Sequence, residues 1–163
     1  MISTANVTMQ FGEKPLFEKV GIETTFVGHP LANKIPLQSN VNKYRKVLKL
    51  NRDELVIALL PGSRVGELKA HTDTLLETAQ NLLGVYPDAK FLIPTTNDKN
   101  VSYIKGRIKN NPTKNIKLIK GKVDEILSSA NMAIAASGTA SLQIALHKKP
   151  ITKDFLSLMV CCV

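Results

Sequence analysis

The sequence contains few cysteines, and their positions limit what they can do. Cys161 and Cys162 are adjacent and lie next to the last residue of the chain. They are too few and too badly placed for a disulfide framework or for a cysteine-based zinc site. A reducing compartment is the simplest expectation, so the sequence predicts a cytoplasmic protein.

Aromatic residues are also scarce, at 5% of the chain, and tryptophan is absent. They are not interleaved with basic residues, and neither a zinc-finger spacing nor an RNP-type motif occurs, so nucleic acid is not an expected partner. The net charge of +9 favours phosphate-bearing partners or an anionic membrane surface. The lysines and arginines form a patch at residues 43–49 and a looser one at residues 105–122, for which a solvated basic face is the alternative.

Long apolar runs and metal-binding patterns are missing as well. No charged leader with an apolar stretch opens the sequence, and no run approaches the roughly 20 apolar residues of a membrane-spanning helix. No spacing of His, Asp and Glu is typical of a metal site, so neither a metal nor a cofactor is predicted. With 163 residues and 44% hydrophobic content, the chain can bury one core, which predicts one domain with additional segments.

The most informative stretch is VIALLPGSRVGELKAH, at Val56–His71. An apolar run stops at Pro61-Gly62, and an apolar helical periodicity follows up to Gly84, which we expect to cap the helix. A helix that begins behind PGSR directs its free N–H groups into the loop, where an anion is favoured. Gly62 would permit close approach of a ligand, while the Ser63 hydroxyl and the Arg64 guanidinium would contact phosphate oxygens. The alternative is a plain turn in which Ser63 caps the helix and Arg64 is solvated.

Strand-like and helix-like segments alternate along the rest of the chain. The predicted strands are Asn6–Phe11, Ile22–Val27, Val56–Leu60, Ala89–Pro94, Ile116–Ile119 and Met132–Ala136. The predicted helices are Pro15–Val20, Val41–Leu50, Leu68–Leu83, Asp98–Asn110, Val123–Leu127 and Ala140–Leu146. Continuously apolar strands that alternate with helices are typical of a parallel sheet covered on both faces. The predicted fold class is therefore α/β, with a Rossmann-like parallel sheet and flanking helices.

Two strand-to-helix loops, PGSR and SGTAS, are rich in glycine and hydroxyl groups. In a parallel sheet, both would emerge at the carboxyl ends of the strands, where open α/β folds bind their ligands. We therefore expect them to form one site. Of the histidines, His29 precedes a proline at a predicted domain junction, and His71 and His147 are expected to face solvent. Asp124 and Glu125 are expected to stabilise the start of their helix electrostatically.

Three motifs follow one another in the chain: GHPL at Gly28–Leu31, LLPGSR at Leu59–Arg64 with Glu67 behind it, and AASGTASL at Ala135–Leu142. Together they resemble the lipid-A-disaccharide synthase family, bacterial glycosyltransferases of family 19 with the two-domain GT-B architecture. The resemblance implies transfer of 2,3-diacylglucosamine from its UDP donor to 2,3-diacylglucosamine 1-phosphate, with inversion and without a metal. It also implies peripheral contact with the inner face of the inner membrane.

The resemblance implies roles for particular residues. Gly62, Ser63 and Arg64 would bind the diphosphate of the donor, and Glu67 would orient their loop. Donors to the same diphosphate would come from Ser137, Gly138 and Thr139. Gln143 stands where the family usually has a glutamate that binds the ribose hydroxyls, and a neutral amide would bind them less strongly.

The resemblance also suggests how the chain is divided. Residues 1–30 would end the acceptor domain, residues 31–50 would form a linker and a basic helix, and residues 51–150 would form an incomplete nucleotide-sugar-binding domain. Residues 151–163 would be an aberrant, exposed apolar tail, as in a truncated or frameshifted gene product. The catalytic base would belong to the missing amino-terminal half. Two alternatives stay open: a non-catalytic remnant that binds UDP or a membrane surface, and another GT-B enzyme such as a UDP-sugar epimerase.

Overall fold

The computed structural model describes residues 10–11, 14–15, 35, 40–110, 115–136, 139–153 and 159–161. The chain divides into two compact units, Met1–Lys34 and Ile35–Val163. In the first unit, strands β1 (Gln10–Phe11) and β2 (Lys14–Pro15) pair in antiparallel fashion. Pro15 therefore lies in a strand and does not begin a helix as predicted. The remainder of that predicted helix, the predicted strand Ile22–Val27 and the GHPL motif lie outside the described residues.

The second unit is built on one sheet. Its strands are β3 (Val56–Leu60), β4 (Lys90–Thr95), β5 (Ile116–Lys120), β6 (Met132–Ala135), β7 (Ile151–Lys153) and β8 (Met159–Cys161). Its helices are α1 (Val41–Leu48), α2 (Val65–Val85), α3 (Asp98–Asn110), α4 (Val123–Ser129) and α5 (Thr139–Leu146). Within the described residues the strand order is β5-β4-β3-β6-β7-β8, and all pairs are parallel except β7 with β8. The predicted α/β fold with a parallel sheet is confirmed.

The order of the strands creates a switch point beside β3. From β3 the chain continues outward through β4 and β5, and then returns to form β6 on the other side of β3. The connections on the two sides lead away from each other, which leaves a crevice at the carboxyl ends of β3 and β6. Open α/β folds bind their ligands in this crevice.

Every residue of β3 is buried because helices cover both faces of the sheet. Val56, Ala58 and Leu60 pack in one core with side chains from α1, α4 and α5. Ile57 and Leu59 pack in a second core with side chains from α2 and α3. This two-sided burial explains why the strand reads as an unbroken apolar run instead of an alternating one.

Helix α2 presents an apolar stripe to the second core, with buried residues at positions 68, 72, 75, 76 and 79. Its end differs from the prediction, because Gly84 lies inside the helix and does not form a left-handed cap. The cap is Tyr86, with φ −125° and ψ 79°, and its N–H donates to the Leu82 carbonyl at 2.7 Å. Pro87 explains this ending, since a proline disfavours helical backbone at the residue before it.

Arg45, predicted to belong to a basic surface patch, is instead buried, with only 4% of the residue exposed. Its guanidinium donates to main-chain carbonyls of residues 51, 52, 54 and 129 and to the Asn131 side chain. A buried charged side chain with this many hydrogen-bond acceptors stabilises the fold. It joins α1 to the segment before β3 and to the end of α4.

Other basic residues also have specific partners. Arg107 forms an ion pair with Asp73, which links α3 to α2, and this contact raises the pKa of Arg107. Lys117 donates to the Leu48 carbonyl at the end of α1 at 3.1 Å. The looser patch at residues 105–122 is therefore partly engaged within the fold.

The predicted domain limit at residue 150 is too early. Ile151, which is buried, begins β7, and this strand pairs in parallel with β6. Met159–Cys161 then pairs with β7 in antiparallel fashion. These two segments extend the sheet, so they do not form a tail separate from it. The start of the unit at Ile35 likewise falls inside the stretch predicted as a linker.

Candidate functional site

A cleft of about 350 Å³ opens at the carboxyl edge of the sheet, at the switch point beside β3. The residues that line it come from the ends of β3, β4 and β6 and from the first turns of α2, α4 and α5. They are Leu60, Pro61, Gly62, Ser63, Arg64, Glu67, Pro94, Thr96, Val123, Ala136, Ala140 and Gln143. Both predicted ligand loops therefore contribute to one cleft, the first through all of PGSR and the second through Ala140.

The PGSR loop is held by the carboxylate of Glu67, in the first turn of α2. Glu67 Oε2 accepts hydrogen bonds from the backbone N–H groups of Ser63 at 2.9 Å and Arg64 at 3.1 Å. These two bonds lower the pKa of Glu67, and the nearby guanidinium of Arg64 contributes to the same direction. Glu67 thus reaches back to the residue that caps its own helix, as acidic residues do in a capping box.

Gly62 has a φ of +101°, a conformation that favours glycine. A Cβ on this residue would lie 2.4 Å from Glu67 Oε2 and 2.6 Å from Glu67 Cβ. The space that a side chain would need is therefore taken by Glu67. Gly62 nevertheless lines the cleft, so close approach of a ligand to its backbone stays a prediction.

The N–H groups of Ser63 and Arg64 are likewise not directed at an outside anion, because Glu67 accepts both. The next N–H groups are those of Val65 and Gly66, in the first turn of α2. N–H groups in the first turn of a helix have no acceptor within the helix, so these two can donate to a ligand. The side chain of Arg64 is 86% exposed, and its ion pair with Glu67 is long at 3.4 Å. Such an exposed pair is weak, so the guanidinium can turn to a ligand at little cost.

Asn100 is part of the site's support, and sequence reasoning missed it. This buried residue donates through Nδ2 to the Ser63 carbonyl and to Thr96 Oγ1, both at 3.0 Å. It therefore fastens the loop after β3 to the loop after β4. The signal was present, because Asn100 lies four residues before the buried Ile104 and thus on the apolar side of α3.

The second predicted loop follows β6, which lies next to β3 in the sheet. The Ala136 N–H donates to the Leu60 carbonyl at 3.1 Å, which places the start of this loop beside the start of PGSR. Ser137 and Gly138 lie outside the described residues, as does the side chain of Thr139. The backbone of Thr139 begins α5, and Ala140 and Gln143 line the cleft.

Gln143 belongs to a hydrogen-bonded chain of side chains between α4 and α5. Its Nε2 donates to Asp124 Oδ1 at 2.7 Å, and Nε2 of His147 lies 3.1 Å from the same oxygen. Nδ1 of His147 lies 3.2 Å from Ser128 Oγ. The prediction that His147 faces solvent is wrong, because its side chain is 1% exposed.

Two features are absent from the part of the chain that the structure describes. Among their side chains, no three of His, Cys, Asp and Glu are grouped so that they could hold a metal ion. None of the helices described is both long and apolar enough to cross a bilayer.

Known proteins resemble this chain over most of its length. The model of the family described as lipid-A-disaccharide synthetase matches residues 7–152. The lipid-A-disaccharide synthase of Methylobacillus flagellatus is 34% identical over 141 residues, which cover 85% of this chain and 37% of that protein. Lipid-A-disaccharide synthase 1 of Legionella pneumophila strain Paris is 39% identical over 139 residues, 85% of this chain and 36% of that protein. The chain thus spans a little over a third of the length of the curated relatives it matches.

Solved structures support the fold assignment. The UDP-GlcNAc 2-epimerase of Neisseria meningitidis, bound to UDP-GlcNAc, superposes with a TM-score of 0.55 and 16% identity, over 72% of this chain and 32% of that one. A family 9 glycosyl transferase from Veillonella parvula gives a TM-score of 0.53 and 12% identity, over 83% of this chain and 40% of that one. At these identities, the likeness is one of fold.

Proposed function

The chain belongs to the lipid-A-disaccharide synthase family, and on that basis we propose that its cleft binds the UDP part of a nucleotide-sugar donor. The observation that carries the proposal is the meeting of two separate loops at one cleft, at the switch point of the sheet. PGSR supplies Arg64 and the first turn of α2, and the second loop supplies the first turn of α5. Two helix N-termini and a guanidinium form a suitable environment for a diphosphate.

In this proposal Arg64 is the principal phosphate ligand. Its planar fork can donate to two phosphate oxygens, and little has to be broken before it does so. The N–H groups of Val65 and Gly66 and the hydroxyl of Ser63 would contact the same group. Glu67 and Asn100 would hold the loop in place from either side. Ser137, Gly138 and Thr139 remain proposed ligands from the second loop.

For the whole protein we propose the family's reaction, transfer of 2,3-diacylglucosamine from UDP to 2,3-diacylglucosamine 1-phosphate with release of UDP. As the bond to the sugar breaks, negative charge grows on the departing diphosphate. Arg64 and the N-terminus of α2 would stabilise that charge without a metal ion. The catalytic base and the acceptor site would come from the part of the protein that precedes this segment. Acylated substrates would bring the protein to the inner face of the inner membrane.

The test is a calorimetric titration of the purified chain with UDP. We expect saturable binding that Arg64→Ala weakens by roughly 1.5–3 kcal/mol, the scale of a charged hydrogen bond. Arg52→Ala is the matched control, because Arg52 is also exposed but lies before β3, at the opposite end of that strand. Its UDP affinity should equal that of the unsubstituted chain.

Two outcomes would contradict the donor site. The first is the absence of detectable binding at millimolar UDP. The second is equal weakening by Arg52→Ala and Arg64→Ala, which would indicate unspecific attraction to positive charge. The alternative of a membrane-adhering remnant has its own signature, binding to anionic vesicles that falls with salt and is unaffected by UDP. A UDP-sugar epimerase has support at the level of fold alone.

A further inference from the structure

The contacts of Asp124 suggest a function that its exposed position hides. The side chain of Asp124 is 56% exposed, yet one of its oxygens, Oδ1, is contacted by both Gln143 Nε2 and His147 Nε2. A carboxylate is only an acceptor when ionised, so both nitrogens must donate to it. Two donors, one within α5 and one just after its end, therefore hold a carboxylate from α4.

The hydrogen bond to Asp124 determines how the amide of Gln143 is oriented. An amide has a donor branch, Nε2, and an acceptor branch, Oε1. Because Nε2 is engaged by Asp124, the carbonyl oxygen is the acceptor that Gln143 can offer to a ligand in the cleft it lines. Without Asp124, the amide could rotate and present either branch.

His147 fixes the other side of Asp124. Its Nε2 lies 3.1 Å from Asp124 Oδ1, and its Nδ1 lies 3.2 Å from the Ser128 hydroxyl. Ser128, His147 and Asp124 have the composition of a catalytic triad, but Ser128 is 1% exposed and no substrate can reach its oxygen. The arrangement is therefore suited to holding a side chain in place.

We propose that Asp124 and His147 are positioning residues that make Gln143 a hydrogen-bond acceptor for the ribose hydroxyls of the bound nucleotide, a step that rests on the proposed UDP site. In doubly wound folds an acidic side chain commonly accepts these hydroxyls. In this chain the pair Gln143–Asp124 performs that task jointly. Asp124 provides the charge and Gln143 provides the acceptor atom.

The proposal is tested by reversing the polarity of the pair. UDP and 2′,3′-dideoxy-UDP are titrated into the unsubstituted chain, Asp124→Asn, Gln143→Glu and the double variant Asp124→Asn/Gln143→Glu. The ratio of the two affinities measures how much the ribose hydroxyls contribute. The unsubstituted chain should prefer UDP by roughly 3–10-fold, the scale of one net hydrogen bond.

Each single variant should bring this ratio close to one. In Asp124→Asn the amide of Gln143 is no longer oriented by a carboxylate, and in Gln143→Glu two carboxylates would repel each other across the 2.7 Å contact. The double variant restores one donor facing one acceptor and should recover the preference for UDP. A residue with a merely structural role would change the unfolding temperature without changing the ratio.

Glu125→Gln is the matched control, because it removes the same charge one residue farther along α4 and takes no part in these hydrogen bonds. Its ratio should equal that of the unsubstituted chain. If Asp124→Asn binds UDP and shows the same ratio of UDP to dideoxy-UDP affinity as the unsubstituted chain, the positioning proposal is overturned but the donor site is not. Failure of the double variant to recover the preference would do the same. No UDP binding by the unsubstituted chain would overturn the donor site itself, and this proposal with it.

Discussion

Substitution of Gly62 by alanine tests the part of the site that depends most on tertiary contact. The change adds one methyl group at a residue with a φ of +101°. An L-residue in left-handed backbone carries a cost of about 1–2 kcal/mol. The added Cβ would also lie 2.4 Å from Glu67 Oε2 and 2.6 Å from Glu67 Cβ, which is far inside van der Waals contact.

Relief of that overlap requires Glu67 to move, and its Cβ can move only with the backbone of α2. The carboxylate would then lose its hydrogen bonds to the N–H groups of Ser63 and Arg64. Because a third of the Glu67 side chain is exposed, water replaces part of each bond, so we take about 1 kcal/mol for each. The total is roughly 3–4 kcal/mol, a substantial fraction of the 5–15 kcal/mol that stabilises a domain.

Thermal unfolding followed by circular dichroism should show Gly62→Ala melting roughly 6–16 °C below the unsubstituted chain. UDP affinity should fall as well, because the loop loses its carboxylate anchor. Gly84→Ala is the control, since Gly84 lies in the same helix with nothing within 4 Å of an added Cβ. It should raise stability by up to about 1 kcal/mol. If Gly62→Ala melts at the temperature of the unsubstituted chain, the contact between Gly62 and Glu67 is not what holds the loop.

Three further predictions follow from buried or bonded polar groups. Arg45→Met should lower the free energy of unfolding, measured in urea, by roughly 3–5 kcal/mol because it leaves buried carbonyls without donors. Lys46→Met, on the exposed side of α1, is the control and should change that free energy by less than about 0.5 kcal/mol. The folded-state pKa of Glu67 lies below its ordinary value of 4.5, so the stability that its carboxylate contributes should be complete above pH 4.5 and should disappear as the pH falls through the lowered pKa. Urea titrations on either side of pH 4.5 should show this pH dependence in the unsubstituted chain and should not show it in Glu67→Gln. Asn100→Ala should cost about 1–3 kcal/mol of stability and weaken UDP binding through the loop at Ser63, and unchanged values of both would show that the loop is held by other contacts.

The sequence was sufficient for strands β3 to β6 and the central helices because their signals are local. Val56–Leu60 is apolar throughout, as a strand covered on both faces must be, and the structure has a strand with the same limits. Asp98–Asn110 likewise forms a helix over the predicted residues. Gly84 predicts the end of α2 at the wrong residue, because Pro87 is the stronger signal.

Polar residues on the apolar sides of helices were the main source of error. Arg45 lies three residues before the buried Leu48, and His147 lies three residues after the buried Ile144. Helical periodicity places both on the inner face of their helices, but composition alone reads them as solvated. Their burial depends on hydrogen-bond partners far away in the sequence, which are Ser129 and Asn131 for Arg45 and Asp124 and Ser128 for His147.

By itself, the sequence determined the alternation of strands and helices, the two loops rich in glycine and hydroxyl groups, and the family. These properties follow from periodicity and short motifs, which neighbouring residues in the chain already express. Only the tertiary structure decided that Glu67 fills the space beside Gly62, that Asn100 fastens the PGSR loop, and that Gln143 donates to Asp124. Each of these depends on the direction of a side chain after helices and strands have packed, and residue order does not specify that direction.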